Sequence, residues 1–386
     1  MQCPRCLNSD PSFFALGSRG MYCRACIRFK RQLIEEEIHI ADKEPLSLDS
    51  DYDLGFDLTP QQQSISTKLC HVSLSCDVLV YAVCGAGKTE IILQCLADRM
   101  AKGQRVAVAI ARRQVVLELT QRFKQYFKHL KVIAVCQGYT DETEADLIVC
   151  TTHQLYRYFQ TFDLLVLDEP DAFPYKNDPV LQGIARTSCC GQIVYLTATP
   201  DDQLKKAVAE NRCCLLSLLH RPHKQPLIVP QVTIRPDGVG LLILLQWLYA
   251  KNQIKRQALV FVPTITLCTL LSKILGLFFS VCRCSSKTPN RDQVIESFRN
   301  GIYRFCICTS ILERGVTFKG IDVAVWRADH IVFDEAALVQ IAGRTGRSMN
   351  DPSGDCLFLC RKQKEAIEQC IERIQDANAD LSVLRM

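Results

Sequence analysis

Ten short apolar runs, separated by longer amphipathic stretches, set the strongest limit on what this chain can fold into. Six precede residue 200: Val78–Val83, Arg105–Ile110, Lys131–Val135, Leu147–Cys150, Leu164–Leu167 and Gln192–Leu196. Four follow residue 250: Ala258–Val262, Tyr303–Cys308, Val323–Val325 and Cys356–Leu359. The runs do not alternate with polar residues, so each reads as a strand buried on both faces. The stretches between them are helical. After Lys88, Ile91, Ile92, Cys95, Leu96 and Met100 share one face, and Gly103 stops the helix; after Arg113, Val115, Val116, Leu119, Phe123 and Phe127 repeat the pattern. Buried strands joined by helices make a parallel sheet covered on both sides. A proline-rich break between Arg221 and Pro236 reads as a hinge. The expected fold is therefore α/β, with parallel-sheet domains over 46–222 and 223–386. Residues 1–45 form a separate N-terminal module and linker, with a helical run through Arg31 to Ile40. The acidic connector EPLSLDSDYDLGFD follows.

The 386 residues suffice for two or three domains, and 48% of them are hydrophobic, which excludes wholesale disorder. A net charge of +5 fits a nucleic-acid partner and equally an ordinary soluble enzyme. The start, Met-Gln-Cys, has no secretory pattern, and the longest apolar run, Gly238 to Tyr249, is too short to span a bilayer. A cytoplasmic, reduced protein follows, in which most of the 22 cysteines are thiols. Cys189–Cys190, Cys213–Cys214, Cys306 and Cys308 read as small core hydrophobes, with a redox role as the alternative.

Chemistry enters at FDLLVLDEPDAFPY, 162–175, where a buried strand ends in Asp168 and Glu169. Ligands of open α/β sheets bind at the carboxyl ends of strands. Upstream, AVCGAGKTE at 82–90 follows a strand and opens a helix. Gly85, Ala86 and Gly87 let backbone amides approach phosphate, Lys88 reaches the β- and γ-phosphates of ATP, Thr89 ligates Mg²⁺, and Glu90 closes the motif. Asp168 is then the acid that serves Mg²⁺, and Glu169 orients or deprotonates water. Thr197 and Thr199 in LTATP can relay between the γ-phosphate and nucleic acid. Gln62 in FDLTPQQ can pair with adenine, although a solvated loop explains so short a string nearly as well. In LVQIAGRTGR, Arg344 and Arg347 lie three apart and share a face if helical. Arginines that meet a γ-phosphate across a cleft stabilise transition-state charge.

CPRC at 3–6 and CRAC at 23–26 leave 16 residues between the inner cysteines, within the spacing of structural zinc sites. Cys3, Cys6, Cys23 and Cys26 would hold Zn²⁺ with no open position; two disulfides are the alternative. Arg5, Arg19, Arg24, Arg28, Lys30 and Arg31 make this module basic, either for DNA or a partner or simply as a solvated face. Candidate strand contacts are Arg112, Arg113, Thr151, Thr152, His153, Gln154, Thr309 and Ser310. All fall just after strands, and such groups suit a phosphate backbone and carry no base code. Tyr156, Tyr158 and Phe159 can stack on bases or pack as core.

In this order, these elements resemble superfamily 2 helicase-like ATPases with two RecA-like domains. TTHQL at 151–155, DEPDAFPY, TSILERGVT and DEAALVQIAGRTGR, preceded by the four-cysteine module, resemble the ComFA family of late competence proteins over essentially the whole chain. The chain departs from that pattern at Ile110-Ala111-Arg112-Arg113, where Ser-Pro-Arg is usual, and at Pro170, where valine is usual. The resemblance implies an ATP-dependent translocase on single-stranded DNA that works with other competence proteins and the membrane uptake channel. It would sit in the cytoplasm or peripherally at the inner face of the cell membrane. It also implies the strand role of His153 and places Gln340 at the nucleotide. Two other readings stay open: an RNA remodeller of the DEAD-box kind, invited by DEPD but opposed by Gln340 and ERGVT, and a zinc-bearing scaffold that binds nucleotide with little turnover.

Overall fold

The computed structural model describes residues 1–35, 38, 50–222, 225–313, 318, 320–346 and 353–383. By contacts the chain divides into two compact units, Met1–Ala82 with Gly87–Leu218, and Val83–Ala86 with Leu219–Met386. The first opens with an antiparallel hairpin, β1 (Phe14–Gly17) and β2 (Gly20–Cys23). Its sheet contains β3 (Asp77–Ala82), β4 (Val106–Ile110), β5 (Val132–Val135), β6 (Leu147–Thr151), β7 (Phe162–Asp168), β8 (Cys189–Thr197) and β9 (Cys213–Leu218). The order is β5-β6-β4-β7-β8-β3-β9, and every pairing is parallel. Helices α1 (Pro60–His71), α2 (Lys88–Ile91), α3 (Leu93–Met100), α4 (Arg113–Tyr126), α5 (Pro179–Ser188) and α6 (Asp202–Ala209) accompany it.

The second unit has strands β10 (Gln231–Ile234), β11 (Gln257–Phe261), β12 (Val281–Cys284), β13 (Phe305–Cys308), β14 (Ile321–Trp326) and β15 (Cys356–Cys360). They are parallel in the order β10-β15-β14-β11-β13-β12. Its helices are α7 (Asp237–Gln253), α8 (Ile265–Leu275), α9 (Arg291–Arg299), α10 (Glu335–Ala342) and α11 (Glu365–Val383). Two-sided burial is what makes these sheets parallel: all five residues of β4 and all six of β14 are buried. In the second unit, Leu259, Phe261, Phe298 and Phe358 fill one core cluster. Ala258, Val260, Leu244 and Leu248 fill another.

Three findings revise the sequence reading. Residues 31–35 are not helical: Leu33 bridges to Tyr22, and the Ile34 amide donates to the Met21 carbonyl at 2.9 Å, while 36, 37, 39 and 40 of the expected helical run lie outside the described residues. The hairpin offers Leu33 and Ile34 an apolar seat that overrides local propensity. Second, the break from Arg221 to Pro236 contains β10, which pairs with β15. Third, β9 and β12 add strands beyond the ten apolar runs. All 22 cysteines are free, so the disulfide alternative for the N-terminal module falls. Cys306 and Cys308 are buried, whereas Cys190 is exposed. Among the described residues no helix is long and apolar enough to cross a membrane.

Candidate functional site

The first sheet levels its chemistry along one edge. Register pairs Ile110 with both Thr151 and Asp168, Asp168 with Leu196, and Tyr81 with Thr197. The carboxyl ends of β6, β4, β7, β8 and β3 therefore lie side by side. β3, which feeds the 83–87 loop, and β7, which ends in Asp168, are separated only by β8. Two strand spacings are about 10 Å, enough for a phosphate tail and a cation between loop and carboxylate.

Within the loop, Gly85 and Gly87 have φ of 81° and 86°. Gly87 cannot be replaced cheaply. Its backbone is left-handed, and a Cβ there would lie 2.3 Å from Gln62 Nε2. Ala86 is buried, and Lys88 and Thr89 are half-buried. Helices α2 and α3 run in succession through Ile92, which keeps αR backbone. Glu90 pairs with Arg122 on α4. Gln62 is 3% exposed. Its Oε1 accepts from the Thr59 amide at 2.9 Å, and its backbone N–H donates to Thr59 Oγ1, so it forms the capping box of α1 beside the loop.

Glu169 follows β7 with φ of 54°, a left-handed conformation that costs a non-glycine residue about 1–3 kcal/mol. Its amide donates to the Leu196 carbonyl at 2.9 Å, which anchors the strained turn on β8. The same turn buries Asp171, an acid of the same string to which the sequence assigns no role. Thr197 and Thr199 both donate their hydroxyls to it, at 2.6 and 2.5 Å. The carboxylate loop and the Thr-Ala-Thr loop are thus one hydrogen-bonded body.

Of the strand candidates, Thr151 and Thr152 are buried at the end of β6. Thr152 Oγ1 has no hydrogen-bond partner among the described residues. Gln154 accepts from Arg157 at 2.5 Å. Arg113 donates to the Gln137 carbonyl at 2.9 Å and lies over the Tyr139 ring. Arg112 is half-buried. His153 faces the cysteine module, its ring 6.0 Å from Phe29. Burial, reinforced by Arg28, lowers its pKa.

In the second unit, Thr309 and Ser310 follow β13. Gln340 and Arg344 are 2% exposed, and Arg344 Nε donates to the Glu313 carbonyl at 3.1 Å. Arg221, also missed in the sequence, donates to the carbonyls of Gly343, Thr345 and Gly346 at 2.8–3.1 Å and caps the turn that carries Arg344. Arg347 and residues 314–317 of ILERGVT lie outside the described residues.

The sulfurs of Cys3, Cys6, Cys23 and Cys26 lie within 4.8 Å of one another, all buried. Cys3–Cys26 and Cys6–Cys23 are both 3.8 Å apart. A tetrahedral site with Zn–S bonds of about 2.3 Å requires sulfur edges of about 3.8 Å, so the cage fits. The contact with Cys26 lowers the Cys3 thiol pKa strongly, and the same contact raises that of Cys26. This module shares a core with the sheet: its four cysteines and Phe29 cluster with Phe162, Leu181 and Ile184.

Comparison with known proteins agrees with this geometry. The chain matches the DEAD/DEAH box helicase family over residues 59–207 and the helicase conserved C-terminal domain over 241–349. The class is that of ATP-hydrolysing, superfamily 2 helicase-like enzymes. The chain is 34% identical to the competence protein ComFA of Streptococcus pneumoniae, over 98% of this chain and 90% of that protein. It is 31% identical to ComFA of Bacillus subtilis, over 98% of this chain and 85% of that protein. The chain belongs to the ComFA family of competence proteins. Its fold is similar to Saccharomyces cerevisiae Dbp5 bound to RNA and ADP BeF3, with a TM-score of 0.62 and 16% identity over 84% of this chain and 92% of that one.

Proposed function

We propose that this protein is a motor that hydrolyses ATP to move along single-stranded DNA during DNA uptake in natural competence. The observation that carries the motor reading is the pair of hydrogen bonds from Thr197 and Thr199 to Asp171. They join the loop after Asp168 and Glu169 to the end of β8, level with the nucleotide loop. A change at the phosphate then has a stiff route to the edge that carries Arg112, Arg113 and Thr151–Gln154. Lys88 and the 85–87 amides would hold the phosphates, and Thr89 and Asp168 would hold Mg²⁺, which supplies charge neutralisation. Glu169 would align the water, and the side-chain amide of Gln62 would meet adenine. Gln340 is assigned to nucleotide binding, and Thr309 and Ser310 to strand contact. Arg344 and Arg347 are assigned to transition-state charge. The four cysteines would hold structural Zn²⁺.

What favours single-stranded DNA over RNA is family membership, not geometry. It also supports competence partners, including the membrane uptake channel, and a place in the cytoplasm at the inner face of the membrane. The test is ATPase rate with no nucleic acid, single-stranded DNA, duplex DNA and RNA at two salt concentrations. Stimulation by single-stranded DNA is expected, with a binding slope of about −0.7 per phosphate contact. Stronger stimulation by RNA would replace the reading with RNA remodelling. Turnover near zero with saturating DNA would leave a nucleotide-binding scaffold. Lys88→Ala is expected to abolish turnover, and sustained DNA-stimulated hydrolysis in that variant refutes the motor.

A further inference from the structure

We propose that Phe29 is a positioning residue that couples the four-cysteine module to the strand-contact turn, so that zinc and a bound DNA strand each strengthen the other's binding. This rests on the reading of Thr151–Gln154 as strand contacts.

Phe29 ends a short 3₁₀ turn, Ile27–Phe29, that starts directly after Cys26. It is 6% exposed. Its ring lies 6.0 Å from that of His153 and 5.4 Å from that of Tyr156. Both belong to the 3₁₀ turn Thr152–Arg157 that follows β6. The ring is therefore a wedge set against the segment that offers Thr152, His153 and Gln154 to a strand.

The wedge is tied to the metal cage through backbone. Arg5 stands between Cys3 and Cys6, and its guanidinium donates at 2.8 Å to the Phe29 carbonyl, the Lys30 carbonyl and Gln32 Oε1. Lys30 adopts a φ of 75°, which a side-chain-bearing residue holds only when its surroundings impose it. The Arg5 clamp imposes it here, and a metal shared by Cys3 and Cys6, which flank Arg5, would hold the clamp in place.

The cage in turn is fixed to the sheet unit. A Cβ on Gly183 of α5 would lie 1.9 Å from the Cys6 carbonyl oxygen, so the two backbones are in direct contact. Thr187 donates to the Arg5 carbonyl at 2.7 Å, and Arg28 pairs with Asp178, the N-cap of α5, at 2.5 Å. Movement of the cage is thereby passed to Phe29 instead of being absorbed at a loose joint. A ligand that holds the 152–157 turn in place favours the clamped cage, and by linkage zinc favours the strand by the same factor.

The test uses the full-length, zinc-loaded protein. Zinc affinity is measured by competition with a chelator, with and without saturating oligo-dT. A strand-induced tightening of about fivefold is expected, the low end of ordinary coupling between sites. Phe29→Ala is expected to abolish the tightening and to weaken oligo-dT binding about fivefold, with ATPase in the absence of DNA unchanged. Phe29→Tyr is expected to keep both effects. Should Phe29→Ala fail to hold zinc, Phe29→Leu, which fills the seat without a ring, is expected to keep zinc and lose the coupling. The proposal is overturned if oligo-dT binds the wild type but leaves zinc affinity unchanged, or if Phe29→Leu couples as the wild type does. If oligo-dT does not bind the wild type at all, the strand reading itself falls.

Discussion

Asp171 accepts two hydroxyl protons at once, and both donors, Thr197 and Thr199, come from a strand end that follows it by more than twenty residues. It is 4% exposed, so a lost acceptor there finds no water in exchange. Asp171→Asn keeps the shape and turns one acceptor into a donor. The expected result is a fall in kcat on the order of 10- to 100-fold, about 1.4–2.8 kcal/mol, with the KM for ATP changed less than threefold. Steady-state kinetics with and without single-stranded DNA checks it, and an unchanged kcat removes Asp171 from the coupling path. The roles of neighbouring acids were legible from a strand that ends in carboxylates; this one was not. An acid three positions beyond Asp168 looks like a solvated turn until folding delivers the threonines of β8. Arg221 was hidden for the same reason. Nothing near it in sequence shows that its guanidinium will cap a turn more than a hundred residues away.

Helix α5 does two jobs: it covers the first sheet and carries the cysteine module. Gly183 is where they meet, and Gly183→Ala puts a methyl into the Cys6 carbonyl, so zinc affinity is expected to fall at least tenfold in a chelator competition. The ion pair of Arg28 with Asp178 gives the same joint a pH dependence. Burial alone would raise the Asp178 pKa, but Arg28 and the amides of Leu181 and Val180 outweigh it and hold it below the ordinary value. A depressed folded pKa means stability that is complete above the unfolded value, about 3.9, and is lost as pH falls through the folded one. The Arg28 guanidinium is half-exposed, so the pair contributes only about 0.5–1 kcal/mol. Asp178→Asn keeps the cap and removes the charge. It should lower the urea midpoint of the first unit at pH 7 and converge with the wild type only as pH falls from about 4 through the depressed folded value. Equal differences at both pH values would show that capping, not pairing, holds α5. The elements that sequence pattern missed share one property. β9, β10 and β12 are sheet edges, and β10 is mostly exposed. An edge strand has one side unpaired and tolerates polar residues, which break the runs of β10 (QVTI) and β12 (VCRC). By contrast β5 (VIAV), also an edge, keeps an unbroken run and stays legible.

Each unit closes its own sheet over its own core, and their anchors differ. The first shares its core with the four-cysteine cage. The second buries Asp322 completely, paired with Lys251 at 2.9 Å and Arg256 at 2.8 Å. Breaking a buried pair costs about 3–5 kcal/mol because the remaining charges lose their partner. Both tryptophans, Trp247 and Trp326, belong to the second unit, so tryptophan fluorescence follows that unit, while circular dichroism follows the whole chain. Chains built of two units seldom unfold in one step. Zinc removal by a chelator is therefore expected to open an earlier transition in circular dichroism during urea unfolding and to leave the fluorescence midpoint in place. Asp322→Asn is expected to do the reverse, lowering the fluorescence midpoint by the equivalent of about 3–5 kcal/mol while zinc content stays at one per chain. A fluorescence midpoint that moves with chelation would mean that the cage supports the entire chain, and the assignment of zinc to the first unit's stability alone would fail.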